Sequence, residues 1–238
     1  MKKVKRLIKG TIHNFYIWFK LLFSQPISYT DSKIDELNIK ITNYKLKKEE
    51  MDLSKGDYNT IVVHHTGSIP RLTIDKLYNI HVIKRKFAAI GYHFVINENG
   101  EIFYTRPLRF KGAHAVPNSG KIGIAFASNL NWEKPTKKAF ESYIKLVKVL
   151  RRRFNIPKEN IIGHIQQQIR NLNYNLNKYN VPLKLTEERM LKINGLNELK
   201  AIKKYEYKRL KKLKVSKNLL PLVRCLKACP GLRFYKYL

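Results

Sequence analysis

Acidic side chains and cysteine are both scarce in this 238-residue chain. Only 17 Asp and Glu stand against 48 Lys and Arg, a formal net charge of +31. Two cysteines, Cys225 and Cys229, are too few for a disulfide scaffold, and they stand too close in sequence to brace a domain. No stretch reaches the roughly 20 uninterrupted apolar residues that a transmembrane helix needs. The nearest, residues 15–23, is short and broken by Lys20. With the basic residues 1–6 ahead of it, that run reads as an uncleaved signal or an interfacial anchor. No internal repeat is present. A hydrophobic content of 44% supports one substantial core with room for an appendage.

The charge is unevenly spread. Residues 1–56 are Lys-rich and weakly periodic, and are read as an N-terminal extension. Residues 165–238 carry 18 basic against 4 acidic side chains, a net +14. Such a field attracts polyanions, including anionic wall polymers and membrane surfaces. No nucleic-acid motif accompanies it, so no specific nucleic-acid partner is expected.

Between residues 57 and 163 the pattern becomes that of a folded domain. Residues 60–66 form a β-branched apolar run ending at Gly67, the signature of a buried strand. Thr73 is placed to cap a helix through Ile74, Leu77, Ile80, Ile83 and Phe87. Two apolar runs, residues 92–96 and 101–104, flank Asn99-Gly100, which predicts a hairpin. Residues 122–127 read as a second buried strand. Pro135-Thr136 opens a helix with Phe140, Tyr143, Ile144, Val147, Leu150 and Phe154 on one face. A short strand at residues 160–163 ends at His164. Strands alternating with helices imply an α/β domain, with a mixed central β-sheet flanked by helices. Residues 187–214 are Lys- and Leu-rich and read as helical, with a break at Gly195.

Of seven histidines, His64 and His164 fall where strands end. Metal ligands often project from such places, because the sheet fixes them while adjoining loops leave a coordination position open. On a strand His64 and His65 face opposite sides, so only one of them can serve a given site.

The order of short motifs carries more information than any one histidine. Val63-His64-His65-Thr66, Gly91-Tyr92-His93-Phe94, Gly112-Ala113-His114-Ala115 with Asn118, Ile122-Gly123-Ile124, Gly163-His164 and Lys227-Ala228-Cys229-Pro230-Gly231 follow one another. This succession resembles the type-2 N-acetylmuramoyl-L-alanine amidases, a superfamily that includes bacteriophage amidase endolysins and peptidoglycan-recognition proteins. The resemblance implies that His64, His164 and Cys229 bind a catalytic Zn2+, leaving a fourth position for water. It implies catalytic roles for Tyr92 and Lys227, and assigns His65, His93, His114 and Asn118 to the substrate groove and its shaping. Peptidoglycan is the implied partner and the cell wall the implied place of action. Lys227 matches the phage-type members, and the alternative is a binding protein of the same fold without catalysis.

The chain departs from the family in one respect. His164 and Cys229 are 65 positions apart, where the family usually holds the pair within about a dozen residues. A basic, largely helical insertion over about residues 167–222 is therefore expected within a zinc amidase domain spanning 57–238. Gln166, Gln167 and Gln168 stand where the family often has an acidic residue.

Overall fold

The computed structural model describes residues 37–42, 44, 46–68, 72–181, 183, 185–193, 196–231 and 234. The apolar run at 15–23, the basic residues 1–6 and Gly195 lie outside them. Six strands form one mixed sheet in the order β1-β4-β3-β5-β2-β6. They are β1 (Lys40–Ile41), β2 (Thr60–His65), β3 (Phe94–Ile96), β4 (Ile102–Tyr104), β5 (Lys121–Phe126) and β6 (Ile161–Gly163). Around Asn99-Gly100, β3 and β4 pair antiparallel as expected, with Phe94 opposite Tyr104. The other pairings are parallel, and β2 lies between β5 and β6.

Alternation along the strands divides the interior. Ile61 and Val63 of β2 join Phe94, Ile122, Ile124 and Phe126 in the main core, which helix α2 (Lys137–Phe154) covers with Tyr143, Leu146 and Leu150. Thr136 caps α2 by accepting from the Ala139 N–H at 3.1 Å. Ile144 is exposed instead of facing the core, because Leu146 and Val147 occupy the buried stripe. Val62, on the other side of β2, packs with Ala115 and Ile162.

Helix α1 (Ile74–Tyr78) covers β3 and β5 on that second face through Ile74 and Leu77 against Val95 and Ala125. Thr73 caps it, accepting from Lys76 N–H at 3.3 Å. The face expected to continue through Ile80 and Ile83 is displaced. Residues Asn79–Lys84 form a π-helical turn that buries His81 and Val82 and leaves Ile83 half exposed. The wider turn rotates the apolar face by about one residue.

The described residues between 37 and 56, assigned above to the extension, pack on the domain. Strand β1 lies beside β4, Met51 is buried with Ala89 and Phe110, and Leu53 bridges Phe110. The segment after β6 is helical: α3 (His164–Leu176), α4 (Glu187–Leu191), α5 (Leu196–Lys212) and α6 (Leu220–Arg224). It carries its own core, in which Ile169, Leu172 and Leu176 of α3 meet Leu199, Ile202 and Leu210 of α5 and Val223 of α6. The chain then returns to the main core at Phe234, which packs on Phe126 and Tyr143 with ring centroids 5.1 Å and 5.7 Å away.

Phe234 thereby ties the far end of the helical segment to the sheet. Phe234→Ala should cost about 3–5 kcal/mol, read as a lower midpoint in urea unfolding. An unchanged midpoint would show that the C-terminal residues add nothing to the main core.

Candidate metal centre

Adjacent parallel strands set two of the candidate ligands side by side. In the β2–β6 pairing Val63 stands opposite Gly163, so the next residues, His64 near the end of β2 and His164 at the start of α3, come side by side. Their rings lie 4.6 Å apart between centroids. Cys229 arrives from the far end of the helical segment, with its Sγ 3.7 Å from His64 Nδ1. One ligand atom from each of His64, His164 and Cys229 falls within 4.8 Å of the other two. No other group of three or more potential metal-ligating residues occurs among the described residues.

The surroundings prepare these atoms for a cation. His64 Nε2 lies 3.0 Å from His114 Nδ1. With the proton on His64 Nε2, donated to His114, the His64 Nδ1 lone pair faces Cys229 and His164. His114 is held in turn by its backbone, since Asn118 Oδ1 accepts from the N–H groups of His114 at 3.0 Å and Ala115 at 2.9 Å. Two glycines make the space for its ring. A Cβ on Gly112 would lie 2.2 Å from His114 Cδ2, and one on Gly123 would lie 2.5 Å from the same atom.

Burial sets the charge state of the cluster. It holds the His64 imidazole well below its ordinary pKa, with the neighbouring His164 and His114 adding to the effect. Burial also takes His164 down to about 4, helped by the charge of Lys227. Both rings therefore keep a lone pair free at neutral pH. Burial pushes the Cys229 thiol up to about 12, against the opposing effects of the His65 carbonyl and Lys227. Two neutral imidazoles and a buried thiol whose thiolate a bound cation would stabilise suit Zn2+, so the residues fit the metal.

Other expected site residues divide by position. Tyr92 sets its ring 5.0 Å from that of His64, tilted by 50°, and burial raises its hydroxyl pKa strongly, with Cys229 adding to the rise. Lys227 is exposed, and its charge acts on both His164 and Cys229. His65 points to the opposite face, where its Nδ1 accepts from Leu130 N–H at 2.9 Å. His93 is fully buried as a strut: Nδ1 accepts from Gly123 N–H at 3.0 Å and Nε2 meets the Phe110 carbonyl at 3.1 Å. A cavity of about 430 Å³ opens beside the cluster, lined by His114, Asn118 and His164, with Gln168, Asn171 and Leu222 from the helical segment. A larger cavity, about 660 Å³, lies between β1 and the β3–β4 hairpin, and none of these residues lines it. His65 and His93 line neither, so they shape the site from behind.

Sequence reading missed three contributors. His81 Nδ1 accepts from Gly91 N–H at 3.1 Å and so steadies the loop before Tyr92. Gln168 and Asn171 line the cavity; Gln168 was marked above only for standing where the family often has an acidic residue, and Asn171 carries no signal beyond its place after His164.

A family profile described as N-acetylmuramoyl-L-alanine amidase matches residues 54–178. Among curated proteins the chain is similar to a peptidoglycan-recognition protein of Drosophila melanogaster, at 31% identity over 115 residues, 44% of this chain and 63% of that protein. It is also similar to peptidoglycan-recognition protein SD of Drosophila simulans, at 39% identity over 72 residues, 30% of this chain and 39% of that one. The chain thus spans between 39% and 63% of the length of these relatives. Among solved structures, it is similar to the endolysin N-acetylmuramoyl-L-alanine amidase LysCS from Clostridium intestinale URNW. That match has 33% identity and a TM-score of 0.47, covering 54% of this chain and 82% of that one. A complex of the peptidoglycan recognition proteins LCa and LCx with tracheal cytotoxin matches at 22% identity and a TM-score of 0.50, covering 54% and 85%. Cys229 lies beyond the stretch that the family profile matches.

The buried histidines make a pH prediction. His65, His81, His93 and His164 are each lowered to about 4, burial being the leading cause in every case. Unfolding returns them to about 6.5, so below that value the unfolded chain takes up protons that the folded chain refuses. Their contribution to stability is complete above pH ~6.5 and is lost progressively down to pH ~4. In chelator-treated protein the urea midpoint should hold steady from about pH 8 to 6.5 and then fall. A flat midpoint across the lower window would contradict the burial of these rings.

Proposed function

The chain belongs to the N-acetylmuramoyl-L-alanine amidase family, and from that premise we propose that it is a working zinc amidase of peptidoglycan. Its substrate bond is the amide joining the lactyl group of N-acetylmuramic acid to the first L-alanine of the stem peptide. The observation that carries this reading is the convergence of His64, His164 and Cys229 within 4.8 Å although 65 positions separate the last two. A binding protein has no need of a buried thiol held against two neutral imidazoles.

Hydrolysis adds water across the amide, leaving a lactyl carboxylate and a free L-alanine amine. The amide is a poor electrophile, and its nitrogen must gain a proton before it departs. His64, His164 and Cys229 would hold the zinc, which would supply Lewis acidity for the carbonyl and for water. With its Nε2 proton donated to His114, 3.0 Å away, His64 would present Nδ1 to the metal. The Tyr92 hydroxyl, kept protonated by burial, is a donor that can orient water or pass a proton toward the leaving nitrogen. The Lys227 ammonium offsets the negative charge that develops on the carbonyl oxygen. The cavity lined by His114, Asn118 and Asn171 is the groove for the stem peptide. Lys227 and the compact catalytic unit favour an endolysin-type enzyme acting at the cell wall, and the basic segments favour contact with anionic wall polymers.

The test is the appearance of new L-alanine amino groups when the purified protein meets peptidoglycan. Release should vanish with a chelator and return with zinc. Cys229→Ser should lose both bound zinc and activity. Tyr92→Phe should keep its zinc while turnover falls by about 10²- to 10⁴-fold. Binding to the wall by the zinc-loaded chain without any release would replace the amidase with a recognition protein of the same fold.

A further inference from the structure

We infer that Gln168 is the positioning residue for the third ligand, its side-chain amide clamping the segment that carries Lys227 and Cys229 onto helix α3. The inference rests on reading the His64, His164 and Cys229 cluster as a zinc site. Gln168 stands four residues after His164, on the same face of α3. Its Nε2 donates to the Cys225 carbonyl at 3.1 Å, and its Oε1 accepts from the Lys227 N–H at 3.0 Å. A carbonyl needs a donor and an N–H needs an acceptor, so the two partners fix the amide in one orientation. Glutamate at this position has no donor for Cys225, and asparagine is one methylene shorter. The glutamine at 168 is therefore a chemical requirement of this arrangement.

Two further bonds complete the attachment. Lys203 of α5 donates to the Leu226 carbonyl at 2.6 Å, and the Ile165 N–H donates to the Cys229 carbonyl at 3.0 Å. Leu226 and Ala228 alternate into the helical core while Cys225 and Lys227 face outward. The helix that begins with the second ligand thus grips the segment that carries the third. A connection of 65 positions leaves the thiol no local route to His164, and the clamp supplies the missing register. Gln168 is half-buried at the cavity wall, so its loss loosens the segment without opening either core.

Gln168→Met removes both hydrogen bonds at similar length. Its zinc affinity, measured by competition with a chromophoric chelator, should fall about 10- to 100-fold. The thiolate-to-metal absorption of the cobalt-substituted protein should weaken, while the thermal midpoint of the metal-free chain changes little. Gln168→Glu, which keeps the acceptor for Lys227, should fall between the two. With Cys225→Ser as background, iodoacetamide should alkylate Cys229 faster in the chelator-treated Met variant than in its parent. Unchanged zinc affinity together with unchanged alkylation would overturn the inference. If the wild-type chain binds no zinc, the zinc reading fails, and the alkylation rates alone decide for or against the clamp.

Discussion

The parallel pairing of β2 with β6 decides where chemistry can sit in this fold. With Val63 opposite Gly163, the register brings His64 of β2 and His164 of α3 together where β6 ends. A slip of one residue would turn His64 into the main core and bring His65 to the site, because successive side chains alternate between faces. The alternation is enforced from both sides. Ile61 and Val63 are needed beneath α2, and Val62 packs with Ala115 and Ile162. Hydrophobic burial along β2 therefore fixes the placement of His64 independently of anything the cluster binds. His65 uses its place on the opposite face to hold the backbone at Leu130.

Electrostatics then sets the charge state of the cluster. Burial disfavours every charged form at once, keeping His64 and His164 neutral and Cys229 protonated. A divalent ion reverses the balance for the thiol alone, because a thiolate beside a dication is stabilised where an isolated one is not. The neighbouring His114 is also held neutral by burial, with His93 and His164 reinforcing the effect. It can accept the His64 proton without adding a competing positive charge. Gly112 and Gly123 matter for the same reason, since without their bare backbones the His114 ring has no room.

Much of this was legible in the sequence where the cause is local. The β-branched run ending at His65, the Asn99-Gly100 turn and the Thr73 and Thr136 caps each act over a few residues, and each element formed where its signal stands. What was not legible is non-local. The π-helical turn that buries His81 reflects the demand for a ring nitrogen at Gly91, a partner ten residues on. Pairing of β1 with β4 draws the end of the apparent extension into the sheet, because an edge of a sheet accepts a short strand with little sequence signal. The family resemblance supplied the ligand set, since spacing alone gives no hint that residue 229 reaches residue 164.

That long excursion is less costly than it looks. Lengthening a connection from about a dozen residues to 65 raises closure entropy by only about 1.5 kcal/mol. A single buried leucine is worth about 1.5–3 kcal/mol, and the helical segment buries many, including Leu172, Leu176, Leu199 and Leu210. Its charge is arranged around that core. Glu206 is the one acidic group fully buried there among the described residues, and it meets Arg209 at 2.7 Å, while most of the Lys residues stay in solvent. The excursion therefore behaves as a small folded layer whose two ends are pinned, one by α3 as it leaves β6 and the other by Phe234 in the main core. Precision at Cys229 rests on those two anchors together with the bonds that Gln168 makes to Cys225 and Lys227.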